Sequence, residues 1–468
     1  MNYYMAFGGT SFGRHVGGPD IITSYDYDVA INEYGYRSEP KFSLLSMLHE
    51  AIFKVQGSMF DSNPVFSSIT GVGPKHCESH TYFDGKSDKC AVFFSNVGYL
   101  RGCSFGTILV PPWSVTIAEG RKDGSDEGSG CGSLVSLHNT KASLSLAPRP
   151  NQLSASIAED IPVFNAGVKS VVEVPKFSMP PDEAVTSESP LEQLSLTKDE
   201  TDYLWYSFNY KSQANLTAAT LEFEYAIAGG IGLMVFVNGD LKRIRRTVSR
   251  EIWPEATSFS THIEFFLPLV EGDNDISILS AARGLRNYGP YLERNRVGIV
   301  SDIIVEGKVC HNVVHTIGMD GEKSNGEGKL RGGQGALTWY SLEFKTPSDL
   351  LSRVLAIDLS SMGKGAAYLN GNHIGRFWDS KLIRNETKSD EIVCIPCIES
   401  DYVGMYEPTR CRTGCKDPTQ AFYKLPLSWF REAGEVNEVL LFSETGGDAD
   451  SVSIVNMGMT ERAYVASS

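Results

Sequence analysis

An internal repeat in the second half of the chain constrains its fold more than any other feature. In the first copy, YLWY at residues 203–206 is followed by VFVNG at 235–239. In the second copy, LTWY at 337–340 is followed by AYLNG at 367–371. The separation from Trp to Asn-Gly is 33 residues in one copy and 31 in the other. Because Asn-Gly favours a type I′ hairpin turn between alternating strands, the repeat predicts two double-sheet jelly-roll sandwiches.

The first residues of the chain differ from this β-rich half. Residues 2–13 read NYYMAFGGTSFG, an apolar and aromatic run that ends in small residues. Such a run is typical of a buried strand of a parallel sheet, which delivers functional side chains at its C-terminal end. Apolar residues at three-and-four spacing then predict one amphipathic helix that includes Leu44, Leu45, Met47, Leu48, Ala51 and Ile52.

Short β-type runs separated by turn residues follow the predicted helix. The segments CAVFFSN at 90–96 and TILV at 107–110 predict strands, and PPWSVTI at 111–117 adds a proline turn and a third strand. The Gly- and Ser-rich residues 122–133 predict a loop. Residues 178–195 contain three prolines among Asp, Glu and Ser, so they are the best candidate for a linker.

Charge and hydropathy argue against two classes of partner. The net charge of −15 argues against nucleic acid, since phosphate binding requires clustered Lys and Arg. No stretch approaches the ~18 apolar residues of a membrane span. We also expect no signal peptide in this chain, since Met1 opens directly into the predicted strand. A short basic cluster predicts a solvated hairpin face; it comprises Lys242, Arg243, Arg245 and Arg246.

Nine cysteines raise two possibilities, a metal site and a disulfide framework. A cluster of four with short spacings fits either four thiolate ligands of zinc or disulfides: Cys394, Cys397, Cys411 and Cys415. The odd total leaves at least one thiol unpaired within the chain. Sequons at Asn215 and Asn385 mark possible glycosylation sites.

No other pattern predicts a cofactor. The histidines have no close ligand spacing, and surface or core positions are the default for them. Gly8-Gly9 and Gly17-Gly18 match neither nucleotide-binding fingerprint. We therefore expect no cofactor.

Several motifs resemble glycoside hydrolase family 35, the plant-type β-galactosidases. The last barrel strand of that family reads roughly N-Y-Y-M-x-H-G-G-T-N-F-G, and residues 2–13 match it except at Phe7 and Ser11. The family loop T-S-Y-D-Y-D-A-P-x-D-E-Y-G resembles TSYDYDVAINEYG at 23–35. Family-like segments continue downstream with DYLWY at 202–206, DLSSMGKG at 358–365 and NGNHIGRFW at 370–378.

The resemblance implies a mainly β chain with jelly-roll, galactose-binding-like sandwiches. Residues 1–54 correspond to the last βα unit of an otherwise missing (β/α)8 TIM barrel. Residues 55–185 correspond to a small antiparallel β domain. Residues 186–320 and 321–468 correspond to two jelly-roll sandwiches, the second with a Cys-rich insertion.

The activity implied by the resemblance is retaining hydrolysis of terminal non-reducing β-D-galactosyl residues. Its two catalytic glutamates belong to barrel strands ahead of residue 2, so we expect this chain to be inactive alone. Glu33 imitates the family's acid/base motif, but its place after the TSYDYD loop favours a structural role. Tyr4 and Tyr27 match tyrosines that line the galactose site. Asp26 and Asp28 are expected to hold the loop by hydrogen bonds.

The resemblance also implies partners and processing. It favours disulfides at Cys397, Cys411 and Cys415 over zinc. It implies a galactoside or galactan-type carbohydrate as the ligand, and a secreted, cell-wall or vacuolar location. The alternative to an enzyme is a non-catalytic carbohydrate-binding or interaction module, since galactose-binding-like sandwiches often serve in that way.

Overall fold

The computed structural model describes residues 4–14, 16–18, 21–27, 29–61, 63–68, 77–98, 102–123, 130–140, 143, 146, 151–172, 174–182, 184–228, 230–247, 260–287, 291–323, 335–377 and 420–461. These residues form three helices, Lys41–Asp61 (α1), Gln193–Thr197 (α2) and Asp320–Lys323 (α3), and strands β1 to β27. A search of the described helices for one long and apolar enough to cross a membrane finds none. The predicted mainly β fold is confirmed.

A small β domain follows α1. Its antiparallel sheet has the order β1-β2-β3-β6-β7, and a hairpin of β4 and β5 covers one face. On the other face, Ala51 and Val55 of α1 pack against Ala91 and Ile117, so the apolar stripe predicted for this helix contacts the sheet. The strands are β1 (Val65–Ser68), β2 (Cys77–Phe83), β3 (Lys89–Asn96), β4 (Cys103–Phe105), β5 (Ile108–Val110), β6 (Ser114–Lys122) and β7 (Cys131–Asn139).

The first sandwich begins within the segment predicted to be a linker. A six-stranded sheet of order β10-β20-β11-β16-β13-β14 faces a sheet of order β15-β12-β18-β19, in which β17 also pairs with β12. The strands are β10 (Val185–Ser187), β11 (Tyr203–Ser212), β12 (Leu216–Ile227), β13 (Ile231–Val237), β14 (Asp240–Thr247), β15 (Ser260–Leu269), β16 (Gly272–Ala281), β17 (Val297–Ile299), β18 (Ile303–Val305), β19 (Lys308–Cys310) and β20 (Val313–Ile317).

The second sandwich combines two strands from the middle of the chain with strands that follow residue 337. Sheets of order β24-β23-β26-β21-β9 and β25-β22-β27-β8 enclose its core. Its strands are β8 (Asn151–Ile157), β9 (Phe164–Val171), β21 (Thr338–Lys345), β22 (Leu355–Asp358), β23 (Gly365–Leu369), β24 (Asn372–Phe377), β25 (Phe422–Lys424), β26 (Val436–Ser443) and β27 (Ser453–Glu461). The sequence-based limits had assigned β8 and β9 to the small β domain, residues 55–185. The structure instead has them paired with β27 and β21.

Both predicted Asn-Gly hairpins are present. Asn238 and Gly239 have φ of 55° and 87°, and Asn370 and Gly371 have φ of 48° and 81°, as a type I′ turn requires. Each turn joins an antiparallel strand pair, β13 with β14 and β23 with β24. The repeat therefore specifies the same hairpin in both sandwiches.

The two sandwiches contact each other through the tryptophan strands of the repeat. Along β11, Leu204 and Tyr206 face the core of the first sandwich, whereas Trp205 faces the second. Trp339 of β21 lies in the same interface. The remaining buried members are Tyr203, Met234, Phe236, Leu279, Ala281, Met319, Leu337, Leu440 and Phe442. Strands that bury both faces read as nearly continuous apolar runs, which explains the YLWY and LTWY motifs.

The predicted buried strand near residue 2 is not formed in the described part of that segment. Residues 4–14 make isolated bridges, Phe7 with Ile31 and Thr10 with Ser24, and no regular strand. Phe7 is exposed. An apolar run forms a buried parallel strand only when a neighbouring strand pairs with it and other elements cover it, and the described residues place no such strand beside it. We call residues 4–36 the N-terminal loop region.

Candidate functional site

Three tyrosines of the N-terminal loop region form an exposed cluster, here called the tyrosine cluster. The side chains of Tyr4 and Tyr27, which sequence reasoning had singled out, are 84% and 66% exposed. Tyr25, which it had not, lies between them. The hydroxyls of Tyr4 and Tyr25 are 3.0 Å apart, and the rings of Tyr25 and Tyr27 meet edge to face at 4.8 Å. The sequence feature that could have identified Tyr25 is its position two residues before Tyr27 in the same loop.

Backbone hydrogen bonds within the region hold the tyrosine cluster together. The amide of Tyr25 donates to the Gly9 carbonyl at 3.0 Å, and the amide of Ile31 donates to the Ala6 carbonyl at 3.1 Å. A Cβ added to Gly8 would lie 1.7 Å from the Tyr25 carbonyl oxygen, so that position requires glycine. The Gly-Gly pair thus allows the two halves of the loop to approach each other closely.

The N-terminal loop region docks on the second sandwich. The Tyr34 ring packs with Ala356, Val455 and Met457 on the outer face of the sheet that contains β22 and β27. The Tyr36 hydroxyl donates to the Met457 carbonyl at 2.9 Å. This contact joins residues that are 421 positions apart in the sequence.

A glutamine of the second sandwich strengthens this docking. Gln420 accepts hydrogen bonds from the Thr23 amide at 3.0 Å and donates to the Thr23 hydroxyl at 2.8 Å. Both residues are buried. Thr23 and the tyrosines near the end of the loop thus both attach the loop that carries the tyrosine cluster to the second sandwich.

Two carboxyl groups lie beneath the tyrosine cluster. Glu33 is 4% exposed, and its Oε2 accepts a hydrogen bond from the Thr10 hydroxyl at 2.6 Å. The Oδ1 atom of Asp26 is buried without a hydrogen-bond partner. Burial, with a smaller contribution from the charge of Asp26, raises the pKa of Glu33 to about 7. Burial also raises the pKa of Asp26. Asp28 lies outside the described residues.

An ion-pair network connects the loop region with both sandwiches. Asp202, the first residue of the DYLWY motif, accepts from Arg14 at 2.6 Å and from Arg376 at 2.5 Å and 2.8 Å. Burial opposes ionisation of Asp202, but Arg376 and Arg14 outweigh it and lower the pKa of this carboxyl. Sequence reasoning had used both motifs to identify the family without assigning a role to Asp202 or Arg376.

A second buried pair lies near the same interface. Lys364 donates to the two carboxylate oxygens of Glu444 at 2.5 Å and 2.6 Å, and the Tyr203 hydroxyl donates to Glu444 at 3.0 Å. These polar groups satisfy one another, so they contribute to the fit between the sandwiches and not to a solvent-facing site.

The cysteine and sequon predictions have mixed outcomes. Cys394, Cys397, Cys411, Cys415 and Asn385 lie outside the described residues, so their disulfide, zinc and glycosylation interpretations stay predictions. Asn215 is exposed and accepts a hydrogen bond from the Glu271 amide. The structure forms two disulfides that had not been predicted, Cys77–Cys103 and Cys90–Cys131, in the small β domain. Within the described ranges, no group of three or more His, Cys, Asp or Glu is arranged to hold a metal ion.

Family comparisons match both ends of the chain. The family described as Glycosyl hydrolases family 35 matches residues 1–52, which contain the tyrosine cluster. The family described as Beta-galactosidase, galactose-binding domain matches residues 337–437, a range that includes β21 to β25 of the second sandwich. The two matched parts of the chain are in contact where the N-terminal loop region docks on the second sandwich.

Solved structures resemble the chain weakly. A family 35 carbohydrate-binding module from Clostridium thermocellum is 13% identical with a TM-score of 0.17, covering 35% of this chain and 96% of that one. A GH2 β-galacturonidase from Eisenbergiella tayi is 10% identical with a TM-score of 0.19, covering 65% of this chain and 44% of that one. These scores are below the level at which a shared fold is inferred.

Sequence relatives match almost the whole chain. Beta-galactosidase 10 of Arabidopsis thaliana is 29% identical over 97% of this chain and 59% of its own length. Beta-galactosidase 3 of Oryza sativa subsp. japonica is 30% identical over 97% of this chain and 51% of its own length. The chain thus spans between half and three fifths of these relatives. Together with the family matches, they show that almost the whole chain is similar to part of the plant β-galactosidases and that its first 52 residues match glycosyl hydrolases family 35.

Proposed function

We propose that the chain contributes to a β-galactosidase activity, which removes terminal non-reducing β-D-galactosyl residues with retention of the anomeric configuration. In this proposal, residues of the chain itself contact the galactosyl group. The observation that carries this proposal is the exposed cluster of Tyr4, Tyr25 and Tyr27 within the segment that matches family 35. Aromatic faces suit the C–H surface of a sugar ring, and phenolic hydroxyls suit its O–H groups.

The proposal assigns binding, and not cleavage, to the chain alone. Retaining hydrolysis requires two carboxyl groups about 5 to 5.5 Å apart that face the substrate. Glu33 and Asp26 lie next to the tyrosine cluster, but Glu33 is buried and Oδ1 of Asp26 is enclosed. In this arrangement Glu33 does not face solvent on the side of a saccharide or on any other side. We therefore expect the galactosyl bond to stay intact when the chain acts alone.

Turnover of a chromogenic β-galactoside tests the assignment. We expect the purified chain to release no chromophore above the rate of a boiled sample. The Glu33→Gln variant, which keeps the size of the side chain, serves as the matched comparison. If the chain turned the substrate over and Glu33→Gln abolished that turnover, Glu33 would be catalytic and the proposed division between binding and cleavage would be wrong.

Saccharide titration tests the binding part. We expect galactose or a β-galactan to bind, and Tyr4→Ala and Tyr27→Ala each to weaken binding by about tenfold, since a well-placed aromatic contact contributes about 0.5–1.5 kcal/mol. Tyr291→Ala is the matched control, because Tyr291 is an exposed tyrosine outside the N-terminal loop region. Absence of binding by the wild-type chain at millimolar saccharide would overturn the proposal.

A second candidate function is a non-catalytic carbohydrate-binding module located in the second sandwich. The match of residues 337–437 to a galactose-binding domain favours it. The two candidates predict different behaviour in a Tyr4→Ala/Tyr27→Ala double variant. Loss of saccharide binding supports the tyrosine cluster as the site, whereas unchanged affinity supports the sandwich.

We further propose a secreted, cell-wall or vacuolar location. Asn215 is exposed at the start of β12, where a glycan has room to project into solvent. Expression in a eukaryotic secretory host, followed by endoglycosidase treatment, is expected to lower the apparent mass of the wild-type chain. The Asn215→Gln and Asn385→Gln variants then identify which sequon is modified. An unmodified chain from such a host would count against this part of the proposal.

A further inference from the structure

The buried carboxyl groups of Glu33 and Asp26 have no part in the saccharide contacts of the tyrosine cluster. Thr10 donates to Glu33 at 2.6 Å, and the Ser24 hydroxyl hydrogen-bonds with both carboxyl groups. Thr10, Ser24 and Asp26 belong to the same loop region that carries Tyr25 and Tyr27. A change in the charge of Glu33 or Asp26 therefore acts directly on residues of the N-terminal loop region.

Few groups compensate a negative charge at Glu33. On the loop, the titratable groups that face it are Asp26, which is acidic, and Tyr34, whose pKa is raised by burial and by the charges of Glu33 and Asp26. On the sandwich side, Lys424 of β25 is the cation that acts on Glu33, and Tyr423 lies near Tyr34. The Lys424 ammonium donates to the Glu33 backbone carbonyl at 2.5 Å.

Ionisation of Glu33 is consequently costly while the loop is docked. Burial is the main cause of this cost, and repulsion by Asp26 increases it. The hydrogen bonds from Thr10 and Ser24 and the charge of Lys424 favour the ionised form and so reduce the cost. The pKa of Glu33 rises from its ordinary value of 4.5 to about 7. The docked state therefore binds more protons than the open state between these two values. Docking is fully favoured below pH 4.5 and weakens as the pH rises toward 7.

We propose that the docking of the N-terminal loop region on the second sandwich is a proton-linked switch, in which protonated Glu33 keeps the loop closed and ionised Glu33 loosens it. The contacts on which the switch acts are those of Thr23, Tyr34 and Tyr36 with the sandwich and the Lys424 bond to the Glu33 carbonyl, while the ion pair of Arg14 with Asp202 holds the start of the loop region. A consequence that rests on the proposed function is that the tyrosine cluster binds saccharide more tightly at pH 5 than at pH 8.

Hydrogen exchange of the full chain measures loop opening directly. The amides of Gly13 and Thr23 are reporters, because they donate to the Ile374 carbonyl and to the Gln420 side chain of the second sandwich. After correction for intrinsic exchange, we expect opening to increase from pH 5 to pH 8 by on the order of tenfold or more. Wild-type exchange that is independent of pH would overturn the proposal.

Three variants sharpen the measurement. Glu33→Gln is expected to remove the pH dependence and keep the loop protected at pH 8. Asp26→Asn is expected to move the midpoint to lower pH, because it removes the repulsion that raises the pKa of Glu33. Glu343→Gln, an exposed carboxyl on β21, is the control and is expected to keep the wild-type profile. A Glu33→Gln variant that retained the wild-type pH dependence would also overturn the proposal.

A second measurement keeps the test decisive if Glu33→Gln does not fold. In wild-type protein with ¹³C-labelled glutamate carboxyls, the Glu33 resonance is expected to titrate near pH 7, and a midpoint near 4.5 would overturn the proposal.

Galactose titration at both pH values separates the two proposals. If the loop opens as the pH rises but no saccharide binds, the switch is supported and the proposed function is rejected. If saccharide binds but loop protection does not change with pH, the proposed function is supported and the switch is rejected.

Discussion

The two sandwiches build the same sheet from different parts of the chain. In the first, the tryptophan-bearing sheet includes the order β20-β11-β16-β13-β14, and in the second the order is β9-β21-β26-β23-β24. In the first sandwich, β20 pairs with β11 and follows it in the sequence. In the second, β9 pairs with β21 and precedes it in the sequence. Backbone pairing requires a strand at this edge but not a particular chain order. The second sandwich therefore ties the middle of the chain to its end.

A second difference lies at equivalent positions of the two repeat hairpins. Both hairpins have an irregularity after the Asn-Gly turn, and beyond it Ile244 pairs with Met234 while Arg376 pairs with Ala366. Ile244 is 46% exposed on an edge strand, whereas Arg376 is 5% exposed and bonded to Asp202. The same local structure thus forms a free edge in one sandwich and a buried junction in the other.

Removal of the junction carboxylate is expected to have the largest effect. Asp202→Ala leaves the buried guanidinium group of Arg376 without its anion and leaves Arg14 with Asp199 alone, so the free energy of unfolding is expected to fall by about 3–5 kcal/mol in urea titrations. Asp240→Ala is the matched control, since Asp240 pairs with Lys242 at the surface. Equal losses in the two variants would contradict a special role for the junction.

The same carboxylate predicts a pH dependence. Because the pKa of Asp202 is lowered in the folded state, its contribution is present above the ordinary pKa of about 4 and is lost as the pH falls through the folded value. We therefore expect the difference between wild type and Asp202→Ala, measured by urea titration at several pH values, to narrow below pH ~4. A constant difference down to low pH would argue against the ion pairs as its cause.

Substitution of the equivalent buried asparagine in each sandwich is expected to have an intermediate effect on the free energy of unfolding, of similar size in the two. The Asn274 side chain accepts from Asn238 at 3.3 Å, and the Asn437 side chain accepts from Asn370 at 2.8 Å. Asn274 and Asn437 are fully buried, and each makes several further hydrogen bonds that an alanine cannot replace, so each substitution is expected to cost about 1–3 kcal/mol of unfolding free energy. A difference larger than ~2 kcal/mol between them would show that the two hairpins are not equivalent.

Loss of one loop contact is expected to have a smaller, local effect. Tyr36→Phe removes the hydrogen bond to the Met457 carbonyl and is expected to cost about 1 kcal/mol. Hydrogen exchange is expected to increase at the Tyr25 and Ile31 amides and to stay unchanged in β11 and β16. Tyr82→Phe in the small β domain is the control. Faster exchange throughout the first sandwich would mean that the loop supports more than its own site.

The smallest effect is expected at the free edge. Ile244→Arg places the second sandwich's residue type at the equivalent position of the first, where it points into solvent. The change in unfolding free energy is expected to be within ~0.5 kcal/mol, as for most surface substitutions. Arg376→Ile is the reciprocal change and is expected to destabilise strongly, because Asp202 loses a partner. Similar effects of the two variants would remove the distinction between edge and junction.

Much of the fold was predictable because the signals were local. The Asn-Gly turns need positive φ at both residues, and this demand is met by residue type alone. The helix at Lys41–Asp61 and the strand at Lys89–Asn96 likewise follow from periodicity and composition. The strand predicted near residue 2 failed, because a run of apolar residues does not specify what lies on either side of it.

The candidate site was predictable only in part. Tyr4 and Tyr27 were singled out from the motif, and the structure brings Tyr25 into contact with both. The burial of Glu33 was not predictable, since it depends on Thr10 and on contacts with the second sandwich. The disulfides of the small β domain were missed because pairing among many cysteines is decided by which strands lie close in space.

The sequence by itself determined the units of this protein: two repeated sandwiches, their type I′ hairpins and a resemblance to a family whose motifs occur in order along the chain. Those features depend on backbone preferences and side-chain alternation within a few residues. The tertiary structure alone decided that β8 and β9 complete the second sandwich and that Arg14 reaches Asp202, a partner 188 residues away. Such contacts depend on packing and desolvation between distant segments, which no local pattern encodes.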